Sequence, residues 1–184
     1  MAAGRSTRFG PEDKLLARLP SGQRVIERCL ATVAAVCHAP VVVTRPGNDA
    51  LAEVIRAAGF IPLPCPDADL GMGHSLAFGA QQISQGRAIL VTLADLPFTT
   101  PQTLMHLAQR ISSETEILIP IYRGRRGHPV VFGAAWRSRL TDLTGDSGAR
   151  ALISCSADVV ELPVDDPGVI HAVDTKNALA GPAV

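Results

Sequence analysis

Short apolar strands alternating with amphipathic helices constrain this chain more than any other feature. From Gly22 to His38, the residues Val25, Ile26, Cys29, Leu30, Val33, Val36 and Cys37 recur at helical spacing. Pro40 then precedes Val41-Val42-Val43-Thr44, a continuous apolar run of the kind buried strands show. Asn48 is placed to cap a helix to Ala58, with Gly59 closing it. Phe60 to Leu63 reads as a strand, Met72 to Ile83 as a helix and Ala88 to Leu93 as a strand that ends in Ala94-Asp95-Leu96-Pro97. Thr100 and Pro101 open a helix to Ser112. Ile117 to Tyr122 and Pro129 to Phe132 are predicted strands around an Arg/Gly-rich turn. Helices near Ala134–Leu143 and Ser147–Ser154 and a strand near Val159–Leu162 complete the order. Strands buried on both faces need a helical layer on each side. The predicted class is therefore α/β, a three-layer α/β/α arrangement around a mostly parallel, twisted sheet. With no repeat, linker or low-complexity tract, residues 1–184 read as a single domain.

Composition narrows the function classes. An apolar share of 47% is too high for a disordered chain. Seventeen basic residues balance seventeen acidic ones, which argues against a general nucleic-acid binder. No apolar run approaches the roughly 20 residues that span a bilayer, and no secretory signal opens the chain, so the expected setting is cytoplasmic without membrane association. Cys29, Cys37, Cys65 and Cys155 lack metal-ligand or redox spacing and read as structural thiols. The charge balance is uneven along the chain. Residues 1–30 hold six basic against three acidic side chains, and residues 123–150 hold six against two. Fifteen of the basic residues are Arg, and only Lys14 and Lys176 are Lys.

Open α/β sheets bind ligands at the carboxyl ends of their strands, so the loops there are the expected place for chemistry. The chain opens on Met1-Ala2-Ala3-Gly4-Arg5-Ser6-Thr7-Arg8-Phe9-Gly10, with Lys14 following. Glycines that permit positive φ, hydroxyl donors and three cations suit a polyphosphate cradle, although a flexible basic segment fits too. It is not a Walker A loop. Such a loop ordinarily follows a strand, and none precedes it: either the start is internal to the gene product or the first strand is lost. Asp95, at the end of an apolar strand, suits Mg²⁺ or a turn cap equally. Gly71-Met72-Gly73-His74-Ser75 would present helix N-terminal N–H groups and the Ser75 hydroxyl to a phosphate or sugar. Arg123 to Pro129 and Gly145 to Arg150 are Gly/Arg-rich, and suit either bidentate phosphate contacts or, respectively, a solvated hairpin and a helix cap. Neither a serine-hydrolase elbow nor histidines at metal-ligand spacing are present.

Taken in order, these segments resemble the molybdenum cofactor cytidylyltransferases, within the wider MobA-like nucleotidyltransferase group. The resemblance rests on 2–10 with Lys14-Leu15-Leu16, on 71–76, on Leu93-Ala94-Asp95-Leu96-Pro97, on Arg126-Gly127-His128-Pro129 with Val130-Val131-Phe132, and on Gly145-Asp146-Ser147-Gly148-Ala149-Arg150. Val173-Asp174-Thr175 is a weaker match. It implies a Rossmann-like nucleotidyltransferase fold and transfer of CMP from CTP to the terminal phosphate of molybdopterin, with Mg²⁺ and release of pyrophosphate. The Ala-Ala-Gly opening resembles the cytidylyl branch, whereas the guanylyl branch tends to carry two glycines there. By resemblance, Lys14, Asp95 and Arg8 are catalytic, and Ala2, Ala3, Gly4, Arg5, Ser6, Lys14, Gly73 and Ser75 hold the nucleotide. His128, Pro129, Gly145, Asp146 and Arg150 would hold the acceptor, and Asp95 with Asp174 the metal. Where the family has Asp-x-Asp-Thr, this chain has Ala172-Val173-Asp174-Thr175, one carboxylate fewer. The alternatives are a GTP-using or other-acceptor nucleotidyltransferase, and a non-catalytic protein that delivers the cofactor to a molybdenum hydroxylase apoenzyme.

Overall fold

A computed structural model describes residues 1–182 apart from 5, 7, 8 and 38. The predicted alternation is present: α1 (Val25–Ala34), β1 (Val42–Thr44), α2 (Asp49–Ala57), β2 (Pro62–Pro64), α3 (Met72–Gln81), β3 (Ile89–Val91) and α4 (Pro101–Arg110). It continues through β4 (Ile117–Tyr122), β5 (Arg125–Arg126), β6 (Val130–Phe132), α5 (Arg137–Thr141), α6 (Arg150–Cys155) and β7 (Val159–Pro163). Local chemistry sets several of these ends. The Asn48 side chain accepts from Leu51 N at the start of α2, and Thr100 accepts from Thr103 N at the start of α4, with Pro101 in the first turn. Gly59, at φ +86°, takes the left-handed turn that ends the α2 segment.

β1 and β2 pair in parallel, Val43 opposite Leu63. In the second group β6 runs antiparallel to both β3 and β4, β5 returns against β4, and β7 lies parallel to β4. Met1 and Ala2 join the two groups. Ala2 N donates to Val43 O at 2.8 Å, the Met1 amino group donates to Thr92 O at 2.9 Å, and Ala94 N donates to Met1 O at 2.9 Å. That is the bonding pattern of a parallel ladder, so these two residues occupy the position between β1 and β3. The layer therefore runs β2, β1, residues 1–2, β3, β6, β4, β7. All of it shares one direction except β6 and the short β5.

Side-chain alternation divides the core into two faces. Ile117, Ile119, Val130 and Phe132 pack with Leu76 and Ala80 of α3 and with Trp136 and Leu140. Leu118 and Val131, one residue out of phase, pack instead against Leu107 of α4. On that second face Ile26 and Leu30 of α1, Leu51 and Ile55 of α2 and Val42 enclose Phe9, Leu15 and Leu19 from the opening segment. Three layers result, as expected.

The boundary differences have local causes. The apolar pattern of α1 reaches Cys37, but Val36 N and Cys37 N both turn back to Val33 O, at 3.0 and 2.8 Å, and the helix ends earlier. His38 lies outside the described residues. The expected helix near 134–143 divides into a 3₁₀ turn at Ala134–Trp136 followed by α5. Of the four thiols, Cys29 and Cys65 are buried whereas Cys37 and Cys155 are exposed, so a core role holds for only the first two. Cys29 donates to Ala94 O at 3.0 Å, and burial pushes its thiol up to about 12, which makes it inert.

Candidate active site

The strand ends converge on two adjoining cavities. The first, about 490 Å³, is lined by Met1, Ala2, Ala3, Gly4 and Ser6, by Lys14, Asp95 and Asp174, and by residues from 68 to 75 with Asp146. Asp95 arrives there because the chain runs on from β3 through Ala94, which is held by the Met1 carbonyl. Val173 N donates to Asp95 O at 2.8 Å and brings Asp174 alongside. Lys14 completes the group. Its Nζ donates to Asp95 Oδ2 at 2.6 Å and to Asp174 Oδ1 at 2.8 Å, both in the range of charge-assisted bonds. Side-chain exposures of 13%, 18% and 31% for Lys14, Asp95 and Asp174 place the three between core and solvent. Burial pulls the Lys14 ammonium down, but the bonds and charges of Asp174 and Asp95 outweigh it and hold the ammonium above its ordinary value. The second oxygen of Asp95, Oδ1, is buried and has no hydrogen-bond partner.

Asp13 fixes the opening segment. Its Oδ1 accepts from Ser6 Oγ at 3.2 Å and from Leu15 N at 2.9 Å, and its Oδ2 accepts from Asn48 Nδ2 at 2.6 Å. Ser6 sits at φ +53°, an uncommon conformation for a residue with a side chain, and its hydroxyl proton goes to Asp13. Arg45, just past β1, donates from Nη2 to Gly4 O at 2.8 Å and lies 3.8 Å from Asp69. Asp13 and Arg45 escaped the sequence reading. The available signal for Arg45 was its place at the carboxyl end of a strand, while Asp13 acts through contacts that spacing does not reveal.

The second cavity, about 450 Å³, has a floor of Leu76, Val91, Ile119, Val130 and Phe132, with Arg126, His128 and Arg150 among its polar lining. Arg126 is tied to Glu161 Oε1 at 2.7 Å. Burial, ahead of all other influences, lowers the His128 pKa, and its Nδ1 is buried without a partner. Met1, Met72 and Leu93 line both cavities, so the two spaces adjoin.

The expected site residues divide as follows. Ala2, Ala3, Gly4, Ser6, Lys14, Ser75, Asp95 and Asp174 line the first cavity, and His128 and Arg150 line the second. Arg5 and Arg8 lie outside the described residues. Gly73 corrects the expectation of a free helix N-terminus, because its N–H is donated to Gly145 O at 2.7 Å. A Cβ at Gly73 would stand 2.5 Å from Thr144 O, which gives this glycine a packing reason. Gly145 in turn donates its N–H to His74 Nδ1 at 3.2 Å. Asp146, expected at the acceptor, lines the first cavity and not the second with His128 and Arg150. Pro129 is buried and lines neither cavity.

Among the described residues no group of three or more His, Cys, Asp or Glu could hold a metal ion. The paired carboxylates with one unpartnered oxygen fit Mg²⁺, which takes one or two carboxylates and fills its remaining positions with phosphate and water oxygens.

The model of the MobA-like NTP transferase domain matches residues 1–161. The chain belongs to this family. Its likeness to solved structures spans nearly the whole chain. Rv0371c from Mycobacterium tuberculosis H37Rv is 27% identical at a TM-score of 0.79, covering 96% of this chain and 91% of that one. A structure of the same protein in complex with manganese is 26% identical, at a TM-score of 0.76 and coverages of 96% and 91%. Molybdopterin-guanine dinucleotide biosynthesis protein A from Archaeoglobus fulgidus is 16% identical, at 0.63 and coverages of 97% and 91%, a likeness of fold. No curated protein matches the chain. The MobA-like chain is thus of nucleotidyltransferase type with the Rossmann-like fold of these neighbours. Among its described residues no helix is long and apolar enough to cross a membrane.

Proposed function

We propose that this chain moves CMP from CTP to the terminal phosphate of molybdopterin and releases pyrophosphate. The observation that carries the reading is Lys14 bridging Asp95 and Asp174 in a cavity walled by the glycine-containing opening segment. Rv0371c, 26% identical, is described in complex with manganese, which supports a role for a divalent cation in this chain. Asp95 and Asp174 would hold it, and bound there Mg²⁺ supplies neutralising charge to the α- and β-phosphates.

The chain's own residues supply position and charge. Main-chain groups of Ala3, Gly4 and Ser6 and the Lys14 ammonium receive the triphosphate in the first cavity. The acceptor lies in the second, its phosphate near His128 and Arg150. A phosphate oxygen attacks the α-phosphorus, an O–P bond forms, and the bond to the β-phosphate oxygen breaks. The departing pyrophosphate carries charge that Lys14 stabilises. Phosphate monoesters are already ionised near neutral pH, so no general base is needed. The lowered pKa of His128 suits a neutral hydrogen-bonding role there.

A thermal-shift panel of CTP, GTP, ATP and UTP with Mg²⁺ tests the nucleotide. The largest stabilisation is expected with CTP. A larger shift with GTP moves the chain to the guanylyl branch, and no shift with any nucleotide removes the transferase reading in favour of cofactor delivery.

A further inference from the structure

Two roles compete for one place in this site. If Asp95 and Asp174 hold a cation, as the proposed function requires, the space between them is already filled by Lys14 Nζ, at 2.6 and 2.8 Å from their oxygens. An ammonium and a divalent ion cannot both sit between Asp95 Oδ2 and Asp174 Oδ1, because like charges that close repel. The backbones beneath the two carboxylates are held in place. The Val173 N to Asp95 O bond of 2.8 Å ties their backbones together, and Ala94 N to Met1 O at 2.9 Å anchors the Asp95 side to the sheet. The cation between them therefore changes by exchange.

The base of the Lys14 side chain is fixed through the main chain, whereas its tip is held through bonds to the two carboxylates. Leu15 is buried, its N–H is held by Asp13, and Ile26 N donates to Leu15 O at 3.0 Å. Four methylenes beyond that anchor carry a compact point charge on a flexible stem. Gly4 and Ser6 line the same cavity, so a phosphate cradled there lies within the sweep of Nζ. Lysine is notable here in a chain whose basic residues are fifteen Arg and two Lys. A guanidinium fork would clamp the carboxylates with paired bonds, whereas an ammonium can be drawn off by a stronger anion.

We propose that Lys14 is a resident, displaceable counter-cation: it holds the Asp95–Asp174 position until a triphosphate draws it away, so that the divalent ion enters with the nucleotide and not before it. This inference rests on the metal-dependent reading of the site. Competition of this kind lowers the apparent affinity for the free ion by the fraction of molecules in which Lys14 has left.

The test is calorimetric titration of Mn²⁺ alone, without nucleotide, into the wild type, Lys14→Met and Lys14→Gln, each also melted with and without Mn²⁺. Either variant should bind one Mn²⁺ at least tenfold more tightly than the wild type. Mn²⁺ should raise the variants' melting temperature at concentrations that leave the wild type unmoved. The gain should vanish when Asp95→Asn is added to Lys14→Met. If Lys14→Met does not fold, Lys14→Gln, which keeps the donors and drops the charge, decides. Wild type that binds free Mn²⁺ as tightly as the variants overturns the proposal. Failure of the wild type to bind CTP is a separate result that removes the transferase reading, since no nucleotide enters these titrations.

Discussion

The two cavities solve recognition in opposite ways. In the first, most charged and polar groups are already committed, Lys14 to Asp95 and Asp174, Ser6 to Asp13 and Arg45 to Gly4, while Asp95 Oδ1 stays without a partner. In the second, an apolar floor lies beneath few polar groups, and His128 Nδ1 is left without a partner. On the proposed function, a triphosphate entering the first cavity would have to replace existing bonds with better ones, and an acceptor entering the second would gain mainly from burial and a few directed contacts. Substitutions in the first cavity should therefore act on nucleotide binding and turnover, and those in the second on the acceptor alone.

The largest effect is expected from Asp95→Ala, which should slow pyrophosphate release about a thousandfold while the far-UV spectrum is unchanged. Metal-dependent turnover at near wild-type rate in that variant would remove Asp95 from the site. Lys14→Ala should cost roughly a hundredfold in kcat/KM for CTP and little in acceptor KM. The reverse pattern means the two cavities are assigned backwards. Gly73→Ala should blur the contrast, because its Cβ would meet Thr144 O and displace the loop whose residues line both cavities. Denaturant unfolding should record a loss of about 1–3 kcal/mol, with both KM values raised. Wild-type stability in that variant would mean that the loop gives way freely. Arg150→Ala should raise acceptor KM about tenfold and leave CTP untouched in steady-state kinetics. The smallest effect concerns His128. Burial lowers its pKa, so the unfolded chain takes up a proton near pH 6.5 that the folded chain does not. Stability should fall as pH drops below about 6.5, and that fall should be shallower in His128→Gln, measured by melting temperature at pH 7.5 and 5.5. Identical slopes in the two proteins would contradict this.

Much of this arrangement was legible where chemistry is local. Val42-Val43-Thr44 declares a buried strand, Thr100-Pro101 a helix start, and the Asp95 carboxylate follows an apolar run into a loop. Phe60 misled the reading of β2. It packs against the core near α2, and the ladder with β1 begins at Pro62, where an edge strand tolerates proline because its outer N–H groups need no partner. The bridging of Asp174 by Lys14 joins residues 160 apart, and the seating of Gly73 on Gly145 joins two loops that each resembled a ligand site alone. Such contacts are set by topology, since the sheet brings distant strand ends to one edge. Spacing within either segment carries no trace of them.

The most direct measurement follows the label from CTP carrying ³²P at the α-phosphate, with Mg²⁺ and molybdopterin. The expected result is label on the acceptor, one pyrophosphate released per transfer, and no transfer without the metal. Label that stays on CTP, or appears only as free CMP, contradicts transfer between the two cavities.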